Sequence, residues 1–242
     1  MAKDAGGSGR RERSPRGQGE QLRREILDAV ARLLDEWGGA EKLTMRAVAR
    51  EAGVAAPSIY LHFSDKADLV WAALEDKYAD LAARMRAADA RTAAAELSAR
   101  ERLEAQAREY CRFARELPGH YRLMYETRQP QVTVSRLHRH PSRHISQSLR
   151  EGFARCRAAG HPVSLPDEQA AQTLWAGLHG SIALHHALMA DEGSGALTDE
   201  LAAGLVDSLV PQAVEGAPCP PATDTEAARM IRSILTGGGP EE

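Results

Sequence analysis

The apolar residues of this chain return every three or four positions over most of its length, which is the spacing of amphipathic α-helices. The first such run covers residues 22–37, and the pair Gly38-Gly39 ends it. Later runs predict helices near residues 100–116, 118–126, 142–159, 166–190, 199–210 and 224–235. No segment alternates for long enough to predict a strand. The pattern therefore predicts an all-α protein of roughly ten helices.

Helix-end signals are dense after the first helix. Thr44 can cap a second helix, and Gly53 stops it. Pro57 suits the first turn of a short third helix, and Ser64 can cap a fourth that runs towards Met85. Two short helices joined by a tight glycine turn form a helix-turn-helix, whose second helix can lie in the major groove of DNA.

The second half of the chain carries similar signals. Gly160 can stop the helix of residues 142–159. Capping boxes pair Ser164 with Asp167 and Thr223 with Glu226. Loops are predicted near residues 127–140, 191–197 and 211–222.

Composition excludes several classes of protein. Aromatic residues make up only 5% of the 242 residues, which disfavours an aromatic-rich β-sandwich. No apolar run reaches the ~18 residues of a transmembrane helix, and the basic N-terminus lacks the apolar stretch of a secretory signal. The three cysteines are far apart in sequence, which argues against a disulfide framework and a CxxC site. We expect a cytoplasmic protein without a membrane partner.

Charge is unevenly distributed along the chain. The formal net charge is −3, which alone argues against binding to nucleic acid. The first 24 residues, however, hold seven basic and three acidic side chains. Residues 1–19 have no periodic apolar positions and are predicted to be a disordered basic arm. The arm either enters a minor groove of DNA or is a solvated tail. At the other end of the sequence, residues 237–242 are also predicted to be a tail.

The segment from Leu43 to Leu69, LTMRAVAREAGVAAPSIYLHFSDKADL, resembles the TetR family of bacterial repressors. The resemblance extends from about Leu22 to Leu74 and rests on Gly-Val at the turn, Ile-Tyr-x-His-Phe after it and the lysine that follows. A second segment, LWAGLHG at residues 174–180, is similar to the Trp-His-Gly class of effector domains in this family, as is the stretch at residues 121–125.

This resemblance implies a two-domain architecture. Residues 20–65 would form a three-helix DNA-binding domain with the helix-turn-helix. Residues 66–236 would form a helical bundle for effector binding and dimerisation. A homodimer joined through its last long helices would read a palindromic operator. Some apolar residues of those helices would belong to the protomer core and others to the dimer interface, and the sequence does not show which belong to each. These residues are Leu174, Leu178, Ile182, Leu188, Met189, Leu201, Leu205, Leu209 and Val210.

The resemblance also implies roles for individual residues. Thr44 would donate to a DNA phosphate, and Lys66 would contact another phosphate through its charge. Ser58 and Tyr60 would face the DNA from the recognition helix, while His62 would lie beside the phosphate backbone. Ordinary half-buried packing is the alternative for Tyr60 and His62.

The recognition helix departs from the common family pattern at two positions. Ala55 replaces a frequent serine and removes a capping hydroxyl, which Pro57 partly replaces. Ala56 replaces a longer polar residue but can still contact a thymine methyl group. The recognition helix therefore offers few side chains that can contact bases, and Arg46 is a candidate for a further base contact. Ile59 is expected to point into the core, as is Phe63.

The predicted bundle contains candidates for an effector pocket. Apolar and weakly polar side chains at helical spacing can line such a pocket or belong to the core. The candidates are Tyr110, Phe113, Met124, Tyr125, Phe153, Trp175 and His179. His179 is either a polar group in the pocket or a buried imidazole that bonds to the backbone.

Histidines also cluster, at residues 138, 140 and 144 and at residues 179, 185 and 186. The sequence contains neither HExxH nor a cysteine partner for them, so we predict no metal site and no cofactor. Cys111 and Cys156 are poor candidates for redox sensing.

The sequence thus predicts a homodimeric DNA-binding repressor that an unknown small molecule releases from its operator, and not an enzyme. The fourth helix joins both domains and is expected to transmit the effect of the ligand to the DNA-binding domain. A ligand-independent DNA-binding regulator is one alternative, and a small helical enzyme that uses its histidines is another. The sequence does not separate repression from activation.

Overall fold

The computed structural model describes residues 18–126, 139–188 and 195–212, together with Arg229 and Arg232. Within these residues the chain forms nine α-helices and no strand. They are α1 (Gln18–Trp37), α2 (Met45–Glu51), α3 (Ala56–Tyr60), α4 (Lys66–Ala94), α5 (Ala99–Glu116), α6 (Pro118–Tyr125), α7 (Arg143–Ala158), α8 (Asp167–Leu188) and α9 (Gly195–Leu209). The predicted all-α class is confirmed. The predicted helix at residues 224–235 lies outside the described residues except for Arg229 and Arg232, which are helical.

Helices α1, α2 and α3 form a small N-terminal unit, and α2 and α3 meet at a sharp turn. Gly53 has φ +69°, a left-handed conformation that glycine adopts without strain. The Gly53 N–H donates to the carbonyl of Arg50 and the Val54 N–H to that of Ala49, which completes a Schellman motif. Ile59 and Phe63 are fully buried, as predicted. The helix-turn-helix is therefore confirmed.

Helix α4 leads from this unit into the larger bundle. Its N-cap is Asp65, whose carboxylate accepts from the N–H of Asp68. Our prediction of a Ser64 cap is wrong, because Ser64 instead donates its N–H and hydroxyl to the carboxylate of Asp68. The helix continues to Ala94, beyond the predicted end near Met85.

The larger bundle is built around α5, which packs against α4, α7 and α9. Helix α8 packs between α7 and α9. Ser98 and Glu101 start α5 with a reciprocal capping box. Buried residues from all nine helices form one continuous core, so the two units share their apolar interior.

Several predicted helix bounds differ from the structure. Helix α1 begins at Gln18, inside the predicted arm, and α9 begins at Gly195, inside the predicted loop. Helix α8 begins at Asp167, so Ser164 precedes the cap position, and the carboxylate of Asp167 accepts from Arg157 instead. Gly160 ends α7 with φ +83°, as predicted.

Candidate functional site

The outer face of the helix-turn-helix presents polar side chains. Thr44 is the N-cap of α2, where its Oγ1 accepts from the N–H of Ala47 at 3.1 Å and leaves its hydroxyl proton available for another acceptor. Arg46 is exposed in the first turn of α2, and Ser58 is half-buried on α3. Tyr60 is 54% exposed at the end of α3. Four of the predicted contact residues therefore lie on the two helices of the motif and reach its surface.

Helix α3 is short and weakly capped. It has five residues, its N-cap Ala55 makes no side-chain hydrogen bond, and Pro57 lies in its first turn. Ala56 is half-buried and packs against the core, which leaves little of its methyl group for a base. The N-terminus of α3 therefore lacks a side-chain cap in the structure, as the sequence indicated.

Two further predicted contacts lie beyond α3. Lys66 is exposed at the first turn of α4, where the helix dipole adds positive potential. His62 is half-buried, and a β-carbon on Gly19 would lie 3.9 Å from its Cε1 atom. The start of α1 therefore lies beside the end of the recognition helix. Arg23 stacks over the ring of Phe63 at 5.2 Å and holds α1 in this place.

A hydrogen-bonded cluster of aromatic side chains occupies the bundle between α5, α6 and α8. The indole N–H of Trp175 lies 3.1 Å from the hydroxyl oxygen of Tyr110 and 3.2 Å from that of Tyr125. Tyr110 donates to Tyr125 at 3.0 Å. Three of the predicted effector-pocket residues are thus brought together through their polar atoms.

His179 joins this cluster through Tyr121, whose hydroxyl is in hydrogen-bonding distance of its Nδ1 atom. The imidazole also lies against the ring of Tyr125, with centroids 4.5 Å apart. Burial lowers the pKa of His179 and raises the pKa of Tyr121, Tyr125 and Tyr110. The cluster is therefore uncharged at neutral pH.

Other predicted pocket residues lie apart from these polar atoms. Phe113 packs against His120 and Arg84, and Phe153 is buried in α7. Met124 is buried in α6, where its carbonyl accepts from the hydroxyl of Tyr78. Sequence reasoning missed Tyr78 and did not place Tyr121 in the pocket, although Tyr121 and Tyr125 are four residues apart and so share a face of α6.

Helix α6 also contacts the N-terminal unit. Arg122 donates from Nη1 to the carbonyl of Gly38 at 2.8 Å. His120 lies 3.5 Å from the carboxylate of Asp35, and Gly119 packs on the carbonyl of Leu34. One face of α6 therefore rests on the end of α1, while Tyr121 and Tyr125 lie in the aromatic cluster.

The apolar stripes of the last helices divide between core and surface. Leu174, Leu178 and Ile182 of α8 and Leu209 and Val210 at the end of α9 are buried in the protomer. Leu184 is 62% exposed and Leu201 is 42% exposed. A β-carbon on Gly180 or Gly204 would meet nothing within 4 Å. The side chain of Leu188 and all of Met189 lie outside the described residues.

Among the described residues, no group of three or more His, Cys, Asp or Glu side chains is placed to hold a metal ion. His138 is outside those residues. None of the described helices combines the length and apolarity needed to span a bilayer. Burial raises the pKa of the Cys111 thiol to about 12 and that of Cys156 to about 11, which disfavours the reactive thiolate.

Family models match both parts of the chain. The model described as bacterial regulatory proteins, tetR family, matches residues 26–73. A second model, described as the tetracyclin repressor-like C-terminal domain, matches residues 103–209, which include the segment LWAGLHG. Together the two models cover well over half of the sequence. A comparison with curated protein sequences gave no match.

Solved structures share the fold. A protein of unknown function from Rhodococcus sp. RHA1 is 26% identical, with a TM-score of 0.62, over 84% of this chain and 97% of that one. FadR from Bacillus subtilis in complex with stearoyl-CoA is 18% identical, with a TM-score of 0.62, over 76% and 97%. A TetR family transcription regulator from Marinobacter aquaeolei VT8 is 16% identical, with a TM-score of 0.55, over 79% and 98%.

Proposed function

The chain belongs to the TetR family of bacterial transcriptional regulators, and we propose that it is a cytoplasmic, homodimeric repressor that a small molecule releases from a palindromic operator. Residues 20–65 are the DNA-binding domain, and residues 66–236 bind the effector and dimerise. The observation that carries the proposal is the helix-turn-helix, whose polar outer face is exposed while Ile59 and Phe63 anchor it from inside. Regulation of transcription, and not catalysis, is the proposed activity.

The exposed face suits a DNA backbone with few base contacts. The hydroxyl of Thr44 and the first N–H groups of α2 donate to one phosphate, and Lys66 pairs with another. Tyr60 and Ser58 face the major groove from α3, and Arg46 adds a donor from α2. His62 lies at the edge of this surface, beside the phosphate backbone.

The basic arm of residues 1–17 supplements this face. It leaves the described part of the chain at Gln18, and Gly19 lies next to His62 at the end of the recognition helix. An arginine-bearing arm that starts there can reach an adjacent minor groove, as arms of other DNA-binding domains do. A solvated tail is the alternative.

The exposed faces of α8 and α9 support the homodimer. Leu184 and Leu201 are apolar and exposed, and Gly180 and Gly204 leave open space at their α-carbons. Helices with such small residues can approach a second pair closely and form a four-helix interface. The two DNA-binding domains of such a dimer, about 34–36 Å apart, would then fit successive major grooves.

The aromatic cluster is the proposed effector site, and α6 the route from it to the DNA-binding domain. Tyr121 and Tyr125 both lie on α6, so a ligand that displaces their rings acts on that helix. Arg122 and Gly119 of the same helix rest on the end of α1. A coupling free energy of about 1–3 kcal/mol would weaken operator binding 5–150-fold. The similar fold of FadR holds stearoyl-CoA, which supports a ligand in this bundle.

Selection of bound duplexes from a random pool tests the function. The protein is unfolded and refolded first, so that no co-purified ligand blocks binding. We expect a palindrome, with log K falling steeply against log salt, and the slope measures the number of phosphate contacts. No enriched site, in the full chain and in a chain that lacks residues 1–17, contradicts the proposal. If neither the operator affinity nor the spacing of the two DNA-binding domains changes with any bound ligand, the protein is a ligand-independent regulator.

A further inference from the structure

A groove of about 230 Å³ lies between α4 and α5, apart from the DNA-binding face and the aromatic cluster. Its α4 wall consists of Ala88, Arg91, Thr92 and Ala95. The hydroxyl of Thr92 donates to the carbonyls of Ala88 and Asp89, so it does not project into the groove as a free donor.

The α5 wall consists of Ala105, Arg108, Glu109 and Arg112. On both helices these residues stand at positions i, i+3, i+4 and i+7, which form one helix face. Three alanines and a threonine are too small to fill the seam where the two faces meet, and this leaves the groove. Three arginines stand at its rim.

A buried carboxylate holds two of these guanidinium groups. The Glu109 side chain is only 8% exposed, and its Oε2 atom lies 2.8 Å from Nη1 of Arg112 and 3.7 Å from Nη2 of Arg91. Arg108 is held from the other side by Glu104, with Nη2 and Oε1 2.6 Å apart. These ion pairs engage one nitrogen of each guanidinium, which carries five N–H donors in all. Donors therefore remain for a further acceptor.

The charge of the groove is not balanced by its own lining. Three arginines and Glu109 line it, and Glu104 beside it pairs with Arg108, so one positive charge is left unmatched. Arg91 lies 25 residues after Lys66 on one continuous helix, about 38 Å farther along it at 1.5 Å per residue. The groove is thus at the end of α4 remote from the DNA-binding face, and DNA phosphates are not its occupant.

We propose that this groove binds a small organic anion that carries carboxylate or phosphate groups. An anion would balance the unmatched charge, and guanidinium groups form paired hydrogen bonds with both kinds of oxygen acceptor. The volume is below the roughly 300 Å³ at which pockets for drug-sized ligands begin, so the ligand is compact. A ligand held by Arg91 and Arg112 at once would join α4 to α5. This inference does not depend on the proposed repressor function.

Calorimetric titration of the full chain with pyrophosphate and with citrate, at constant ionic strength, tests the proposal. We expect saturable binding of at least one of these anions. Arg91→Gln should weaken it about tenfold or more, because a charge-assisted hydrogen bond is lost. Arg91 is the more distant partner of Glu109, so this variant keeps the Arg112–Glu109 pair and its fold, which circular dichroism verifies. Arg108→Gln should have a similar effect.

Two further variants distinguish a shaped site from general attraction to arginine. Ala105→Met fills the groove without changing its charge and should abolish binding. Arg86→Gln removes an exposed arginine of α4 outside the groove, and Arg46→Gln removes one on the DNA-binding face; both should bind as wild type. The proposal is overturned if neither anion binds saturably. It is equally overturned if Ala105→Met binds normally, or if the control variants lose as much affinity as Arg91→Gln.

Discussion

Gly119 of α6 packs directly on the backbone carbonyl of Leu34 in α1, so closely that a β-carbon at position 119 would overlap with it. The glycine is needed for this approach and not for an unusual backbone angle, because its φ is not positive. The contact joins the DNA-binding unit to the helix that carries Tyr121 and Tyr125. Because the contact is with backbone, a shift of α6 at this point must be accommodated by α1.

Gly119→Ala should therefore destabilise the protein. The neighbour is backbone and cannot rotate away, so α1 and α6 must separate, at a cost of about 1–3 kcal/mol. Thermal or urea unfolding measures the loss. Gly39→Ala is the matched control, since its added carbon would meet only the exposed, flexible carboxylate of Glu41. Equal stability of both variants would show that α1 and α6 are not in the close contact described.

Two single substitutions test the proposed DNA contacts. Tyr60→Ala and Lys66→Ala should weaken operator binding while dimerisation and thermal stability stay nearly unchanged, because both side chains are exposed. Lys66→Ala should also reduce the salt slope by about one. Arg86→Ala, 20 residues farther along α4, removes an exposed charge about 30 Å away and should bind as wild type. If a variant keeps the wild-type operator affinity and the wild-type salt slope, the substituted residue does not contact the DNA.

The proposed dimer interface is testable with leucines of matched exposure. Leu201→Glu should shift the protein towards monomer, because it places a charge in an apolar contact that excludes water. Leu184→Glu should do the same. Leu97, 41% exposed in the connection that follows α4, is the control for Leu201, which is 42% exposed. Sedimentation at several concentrations gives the dissociation constants. Dimers that survive both α8 and α9 substitutions would place the interface elsewhere.

The local features that the sequence predicted well are those with a local physical cause. Gly53 and Gly160 end their helices because a left-handed residue is required there, and each is followed by the expected Schellman hydrogen bonds. Ile59 and Phe63 are buried as their spacing required. Such signals lie within a few residues of the structure they determine.

The features that sequence reasoning missed depend on contacts between distant segments. One exception is local: Asp65, and not its neighbour Ser64, accepts from the N–H of Asp68 and caps α4, and the preference for serine or aspartate at a cap does not choose between the two. The aromatic cluster joins Tyr110 and Trp175, which are 65 residues apart, and helical spacing alone does not separate such a cluster from ordinary core. The role of α6 as a bridge likewise depends on its packing against Leu34.

Glu96 is an unusual residue at the end of α4, and its replacement should stabilise the protein. It has φ +57° in a Schellman motif, a position that normally takes glycine. Glu96→Gly relieves the contact between its β-carbon and the backbone, worth about 1 kcal/mol. Glu96→Ala removes the same carboxylate but keeps the β-carbon, so it should not stabilise. Unfolding free energies of the two variants should therefore differ, with the glycine variant the more stable.

Stability should fall as the pH drops below about 6.5, the pKa of histidine in the unfolded chain. Burial lowers the pKa of His120 in the folded protein, helped by the charge of Lys77 and opposed by those of Asp35 and Asp80. The unfolded state then binds more protons than the folded state, so the free energy of unfolding decreases with falling pH, by at most about 1.4 kcal/mol per pH unit for one histidine. His120→Gln, which cannot take up this proton, should show a shallower decrease between pH 7 and 5 in urea unfolding. A pH dependence of His120→Gln equal to that of wild type would exclude His120 as a contributor.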